Sequence, residues 1–120
     1  MCIRDSYTTV LVTRGEFLKK HEALVQGMVA AVRSGWEDYL KNPTPTNQLM
    51  AKLNKSMDAA TFDESAAAQK PLIENDETRA AGLGVMTEAR WKALTQQLLD
   101  MKFIDKAPAV SELFRWYGNT

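Results

Sequence analysis

Side chains able to act as a nucleophile, a general base or a metal ligand are few in this chain of 120 residues. His21 is the only histidine, and because no second imidazole can converge with it, we interpret it as a solvated residue at the start of a helix. The acidic stretch Glu74-Asn75-Asp76-Glu77 lacks the alternating ligand spacing and the turn glycine of a calcium loop, which indicates a solvated loop. The sequence therefore predicts no catalytic centre, no cofactor and no metal site.

Two further groups of residues have both a packing and a binding interpretation. Gly82 and Gly84 lack the preceding strand and the third glycine of a dinucleotide fingerprint, so we expect them to relieve backbone strain before Thr87 rather than to hold a phosphate. The tryptophans could stack on an aromatic ligand, but their helical spacing with neighbouring aliphatic residues favours packing in a core. They are Trp36, Trp91 and Trp116.

The first six residues, MCIRDS, have no hydrophobic period and contain the only cysteine, Cys2. One reading frame of a transposase adaptor used for sequencing libraries encodes Met-Cys-Ile-Arg-Asp followed by Ser or Arg. We therefore interpret residues 1–6 as an adaptor-derived artefact joined to a truncated gene of metagenomic origin, and keep them out of the fold. The alternative is a genuine short extension. Without Cys2 the chain has no thiol for a disulfide, for catalysis or for a zinc site.

Composition excludes some classes of partner. The 15 Lys and Arg balance the 15 Asp and Glu, and no stretch gathers enough basic residues to form a footprint for nucleic acid. No apolar run approaches the roughly 18 residues needed to cross a bilayer. A chain of this length is in the range of one domain.

The hydrophobic pattern is mostly helical. From Glu22 to Lys41 apolar residues recur at spacings of three and four, which predicts a long amphipathic helix. Gly27 and Gly35 interrupt it, and we expect close packing against a neighbour there. A second long helix is predicted after the capping residue Thr87, where Trp91, Leu94, Leu98 and Met101 share a face. Shorter helices are predicted after capping residues at Thr13, Thr44 and Thr61, and from Val110 to about Tyr117, with Pro71 ending the one that starts near Thr61.

One segment reads differently. Residues 7–13, YTTVLVT, are β-branched or aromatic except Leu11, and neither face is plainly polar, which predicts a strand covered on both sides. The fold class predicted for the chain is thus mainly α, with about five helices and one N-terminal strand. Because a lone strand leaves both of its edges unpaired, we infer that a sheet is missing from the sequence.

The order of these elements resembles the C-terminal portion of periplasmic substrate-binding proteins of ABC importers. Among these, the chain is most similar to the group that handles nitrate, sulfonates, taurine and pyrimidine precursors of thiamine. The resemblance covers residues 7–120, and its most specific pieces are EFLKKH at residues 16–21, the Gly35-Trp36 pair, and GVMT at residues 84–87 leading into Arg90-Trp91.

The resemblance implies a parent protein of two α/β lobes, the type II periplasmic binding protein fold, which closes around a small ligand and delivers it to a permease. Residues 7–120 would be the C-terminal part of the first lobe, mostly scaffolding, in a periplasmic or other extracytoplasmic protein without enzymatic activity. The piece alone is expected to be marginally stable and to self-associate. Fungal relatives that make the thiamine pyrimidine depend on a histidine and a cysteine-rich iron motif, which nothing here matches.

The same resemblance places Tyr7, Thr8 and Thr9 where the chain leaves the hinge for the first lobe. Their hydroxyls are the predicted ligand contacts, and the competing interpretation is that they are ordinary strand residues. A different class of protein also fits the residues: an all-helical interaction domain that dimerises through residues 7–13.

Overall fold

A computed structural model describes residue 7 and residues 9–118 of the chain. These residues form seven helices and no strand, where the sequence predicted about five helices and one strand. The helices are α1 (Gly15–Lys20), α2 (Glu22–Lys41), α3 (Thr44–Leu53), α4 (Ala59–Ile73), α5 (Asp76–Ala81), α6 (Glu88–Asp100) and α7 (Val110–Leu113).

The strand predicted at residues 7–13 is not formed within the part of the chain that the structure describes. Residues 10–13 are irregular and exposed, and the side chain of Val12 is 85% accessible to solvent. Thr8 lies outside the described residues. The physical reason is the absence of a partner, because a strand is stabilised by hydrogen bonds to a second strand and none stands beside this segment.

Helices α2 and α6 confirm the long helices predicted from the apolar spacing. The inner stripe of α2 ends at Leu40, the one buried residue of this helix. Helix α6 begins after Thr87, whose hydroxyl accepts a hydrogen bond from the Arg90 amide at 3.4 Å, as expected of an N-cap. The neighbour expected at Gly27 and Gly35 is absent from the described chain.

Several helix boundaries differ from the prediction. Helix α3 begins at Thr44 itself, after Pro43 and without a side-chain cap, so the cap predicted at Thr44 is wrong. Helix α1 starts after Arg14 without a side-chain cap, so the capping box predicted at Thr13 is wrong. The cap of α4 is Asp58, whose carboxylate accepts bonds from both the amide and the hydroxyl of Thr61. Helix α4 also continues past Pro71 to Ile73, because that proline lies in its last turn and costs only one hydrogen bond.

The stretch predicted as a connection contains α5. Asn75 and Thr78 cap each other reciprocally at its start, and the helix ends just before Gly82, where φ is 101°. Gly84 also has a positive φ, 78°, which agrees with the predicted backbone role of both glycines. At the other end of the chain α7 stops at Leu113 rather than near Tyr117, and Phe114 is extended.

The interior is thin. Three apolar residues are buried among those described, Leu40, Ala66 and Val85. The radius of gyration is 17.0 Å, against about 13.6 Å for a compact domain of this length. The accessible surface is 9215 Å², against about 6,500 Å² for a folded monomer of this mass. The helices therefore leave much apolar surface uncovered.

A polar bridge joins α2, α3 and α4. Asn47 is completely buried; its carbonyl oxygen accepts a hydrogen bond from the Tyr39 hydroxyl at 2.8 Å, and its amide donates to the Asp63 carboxylate at 2.6 Å. Nearby, the Lys70 ammonium donates to the backbone carbonyl of Leu40 at 2.7 Å, where the last turn of α2 has an unpaired acceptor. These bonds fix α3 and α4 against the end of α2.

Candidate functional site

Tyr7, the first of the predicted ligand contacts, lies at the start of α6. Its phenol oxygen accepts a hydrogen bond from the Thr87 amide at 2.8 Å. Because the first amides of a helix have no partner within the helix, the Tyr7 oxygen and the Thr87 hydroxyl each satisfy one of them. This contact joins the N-terminal segment to α6 across eighty positions of sequence.

The Tyr7 ring belongs to a cluster of three aromatic rings, formed with Trp91 and Phe114. The ring centres of Tyr7 and Trp91 are 5.5 Å apart at an interplanar angle of 41°, and those of Trp91 and Phe114 are 5.7 Å apart and nearly parallel at 14°. These are favourable separations for aromatic pairs. Trp91 is thus used in packing, although its indole nitrogen is buried without a hydrogen-bond partner among the described residues.

The Arg90 guanidinium lies over the Tyr7 ring. Its guanidinium carbon lies 4.6 Å from the ring centre, and one of its nitrogens is 3.1 Å from the Glu77 carboxylate. Both partners of this ion pair are about one-third exposed, so solvent screens their attraction. The pair connects the start of α5 to the start of α6.

Neither of the other two predicted contacts has a described position in this cluster. Thr8 lies outside the described residues, and Thr9 is exposed in a bend of the chain. Ligand contact by Tyr7, Thr8 and Thr9 therefore stays a prediction. The structure adds that the Tyr7 hydroxyl already has a partner within the protein, the Thr87 amide.

The remaining candidate residues occupy structural positions. His21 is exposed at the junction of α1 and α2, with its ring 4.7 Å from that of Phe17. Asp76 is paired with Arg79 at 2.9 Å within α5 rather than lying in a loop. No group of acidic, histidine or cysteine side chains suited to a metal ion occurs in the described part of the chain.

The tryptophans are packed to different degrees. Trp36 meets the Tyr39 ring edge-on at 5.7 Å and remains 41% exposed, so the core position predicted for it is only partly realised. Trp116 is half-buried beneath the Arg33 guanidinium, 4.8 Å from its ring centre. None of the three lines either of the two open clefts found among the described residues.

Arg33 is the main organising residue that the sequence did not reveal. From α2 it donates hydrogen bonds to the carbonyl oxygens of Leu83 at 3.1 Å, Tyr117 at 2.6 Å and Gly118 at 3.0 Å. The sequence signal was a cationic residue next to Val32 in the apolar stripe of α2. Because a half-buried guanidinium requires acceptors, that position indicates a partner elsewhere in the chain.

Two side chains show shifted pKa values, and neither shift marks a catalytic group. Hydrogen bonds from the amide and hydroxyl of Thr61 lower the pKa of Asp58 below its ordinary value of 3.8. Burial, followed by the nearby Glu22 carboxylate, raises the pKa of Tyr117 above 10.0. Both are explained by a helix cap and by the packing of the C-terminal segment against α2.

An open cleft of about 360 Å³ lies between the C-terminal half of α2 and α5. It is lined by Glu37, Lys41, Glu74, Thr78, Arg79 and Leu83. The lining has charges of both signs on exposed side chains, so it offers no preorganised site for an ion of one sign. No described helix is long and apolar enough to pass through a lipid bilayer.

With this geometry in view, comparison with known proteins supports one class. The family model described as NMT1/THI5 like matches residues 1–46. That family comprises substrate-binding proteins of ABC transporters, and the match confirms the resemblance predicted from the sequence over α1, α2 and the start of α3. No curated protein and no solved structure matches the chain significantly.

The comparison applies only to the residues that the family model matches. It covers 46 of the 120 residues and ends before α4, so it includes Tyr7 but not the α6 residues that hold it. It also includes residues 1–6, whose interpretation as an adaptor scar stays a prediction. The family is generally non-catalytic and typically extracytoplasmic, although its THI5 members have enzymatic roles.

Proposed function

We propose that this chain is the C-terminal part of the first lobe of a solute-binding protein from a bacterial ABC importer. The observation that carries the proposal is the family match over residues 1–46. In the intact protein, a small polar ligand such as a sulfonate, nitrate, taurine or a thiamine pyrimidine precursor would be captured by closure of two lobes. The protein would then be periplasmic, would dock on its cognate permease and would have no enzymatic activity.

The large accessible surface supports the proposal that the chain is only part of a lobe. The accessible area exceeds that of a compact monomer by about 2,700 Å², and the apolar side chains of Val10, Leu11 and Val12 are 44%, 56% and 85% exposed. A larger lobe would bury such surface. The role of α2 and α6 in that lobe is to hold one wall of the cleft rigid, so that ligand binding is converted into lobe movement.

The position of Tyr7 supports a ligand site near the start of α6. Helix N-termini carry partial positive charge, and α6 is long enough for this effect. The Tyr7 phenol and the Arg90 guanidinium lie at the same place. Polar groups of the neighbouring Thr8 and Thr9 would complete the contacts to a sulfonate, a nitrate or a hydroxylated pyrimidine.

The test uses the protein completed with its upstream coding sequence. Isothermal titration with taurine, an alkylsulfonate, nitrate and an aminopyrimidine should give binding of one of them, and X-ray scattering should show a smaller radius of gyration when that ligand is present. Thr9→Val should weaken binding at least tenfold, since Val has the same shape but no hydroxyl. The exposed Thr13→Val is the matched control.

Two results would contradict the proposal. One is a complete open reading frame that begins at Met1 and still yields a folded monomer that binds none of these compounds. The other is an upstream sequence without alternating strands and helices. The second of these would favour the helical interaction domain, for which the exposure of Val10, Leu11 and Val12 is the specific supporting observation.

A further inference from the structure

The two ends of the described chain meet on one side chain, the indole of Trp91 near the start of α6. The ring centre of Tyr7 lies 5.5 Å from that of Trp91, and the ring centre of Phe114, the residue after α7, lies 5.7 Å from it at an interplanar angle of 14°. The indole nitrogen is buried without a hydrogen-bond partner among the described residues, so ring contacts rather than a hydrogen bond hold this side chain. Trp91 is therefore shared by segments from opposite ends of the chain.

Residues 114–118, which we call the C-terminal segment, are attached to α2 by side chains. The segment lies outside any helix. Arg33 of α2 donates hydrogen bonds to the carbonyl oxygens of Tyr117 at 2.6 Å and Gly118 at 3.0 Å, and its guanidinium carbon lies 4.8 Å from the Trp116 ring centre. A segment held in this way can detach without breaking the hydrogen bonds of any helix.

The attachment at the other end of the chain is also local. The phenol oxygen of Tyr7 accepts a hydrogen bond from the Thr87 amide at 2.8 Å, and its ring packs on Trp91. Residues 10–13, which follow, are irregular and exposed. The anchoring of the N-terminal segment is therefore concentrated on Tyr7, and Trp91 loses a neighbour when that anchor is released.

We propose that Trp91 couples the two ends of the chain. Attachment of Tyr7 to the start of α6 stabilises attachment of the C-terminal segment, and attachment of the C-terminal segment stabilises that of Tyr7. The reason is that each ring restricts the indole on which the other ring packs. An aromatic contact of ordinary strength changes such an equilibrium about two- to tenfold, and a coupling free energy acts equally in both directions.

The coupling concerns the 120-residue chain and does not rest on the proposed function. In the binding protein proposed above, the polypeptide before Tyr7 would arrive from the other lobe. A change in the position of that lobe would then tighten or loosen the C-terminal segment through Trp91.

The first test follows carboxypeptidase digestion of the whole chain by mass spectrometry. Release of Tyr117 requires a detached segment, so its rate, divided by the rate in urea, reports the detached population. Tyr7→Leu should raise this ratio at least about threefold, and Tyr7→Phe should raise it less because the ring is kept. The control is Val12→Ala, at a residue that is 85% exposed; it should change the ratio by less than about 1.5-fold.

A double-variant cycle separates coupling from two independent losses. Phe114→Leu should also raise the ratio. Combining it with Tyr7→Leu should give an increase smaller than the product of the two single increases, because the shared contact has already been lost. Increases that multiply in full would overturn the proposal.

The second test measures the reverse direction by hydrogen exchange of the Thr87 amide, whose partner is the Tyr7 phenol. Phe114→Leu should speed this exchange at least about threefold. Phe103→Leu is the matched control, since it makes the same substitution at a ring that is 74% exposed, and it should leave the exchange unchanged. Equal exchange in the two variants would overturn the proposal. If circular dichroism shows that Tyr7→Leu does not fold, this measurement decides alone.

Discussion

Replacing Asn47 with alanine should separate the helices that its amide joins. The substitution removes the hydrogen bond from the Tyr39 hydroxyl, worth about 1 kcal/mol. It also removes the bond to the Asp63 carboxylate; bonds to charged groups reach about 1.5 to 3 kcal/mol, but Asp63 is exposed and regains water, so we take about 1 kcal/mol for it. The free energy of unfolding should fall by about 2 kcal/mol, since helix propensity changes little beside these losses.

For a chain of this length, that loss lowers the melting temperature by about 8 °C. The measurement is urea and thermal unfolding of the full chain followed by circular dichroism. Gln48→Ala is the matched control, because it is the next residue of α3 and is exposed; it should change stability by less than about 0.5 kcal/mol. Tyr39→Phe should lower the free energy of unfolding by roughly half as much as Asn47→Ala. The double variant Tyr39→Phe with Asn47→Ala should lose less stability than the sum of the two single changes.

The reasoning would be refuted if Asn47→Ala had the same melting temperature as Gln48→Ala. That result would mean that α3 and α4 are held by their apolar contacts alone and that the buried amide is compensated by water. Additive losses in the double variant would refute the narrower claim that Tyr39 and Asn47 act through one bond.

The remaining predictions concern the C-terminal segment and the start of α4. Arg33→Ala should destabilise the chain by about 2 kcal/mol and speed carboxypeptidase digestion, because three carbonyl contacts and the Trp116 ring lose their partner. Arg33→Lys should recover little of this stability. Unchanged digestion in both variants would contradict the view that Arg33 holds the C-terminal segment against α2. The folded-state pKa of Asp58 is depressed, so its contribution is present above its unfolded value near 3.8 and is lost as pH falls through the folded pKa. In the Asp58→Ala variant, the free energy of unfolding should not show this fall at acid pH. If the variant loses stability at acid pH as the wild type does, another carboxylate is responsible.

The long helices were predictable because their signals are local. In α2 and α6 the apolar spacing runs over several turns, and Thr87 caps the first amides within three residues. The boundaries of α1 and α4 were not predictable, since several residues near a helix start can act as the N-cap. Asp58 accepts two bonds from Thr61 and so begins α4 earlier than a cap at Thr61 would.

Short and long-range features escaped prediction for different reasons. Helix α5 has only six residues, too few for an apolar period, and its capping pair of Asn75 and Thr78 resembles an ordinary polar loop. The segment at residues 7–13 has strand-forming residues, but a strand is decided by its partner and the described chain has none. Arg33 and Asn47 were visible only as polar residues within apolar stripes, and their partners lie on other elements.

The phenol of Tyr7 gives the described chain a mechanical property. It fastens the entering segment to the first turn of α6 by a single oxygen, 2.8 Å from the Thr87 nitrogen. A force on the polypeptide before Tyr7 would therefore act first on the cluster of three aromatic rings and on the first turn of α6. Movement upstream of Tyr7 would act on the beginning of α6.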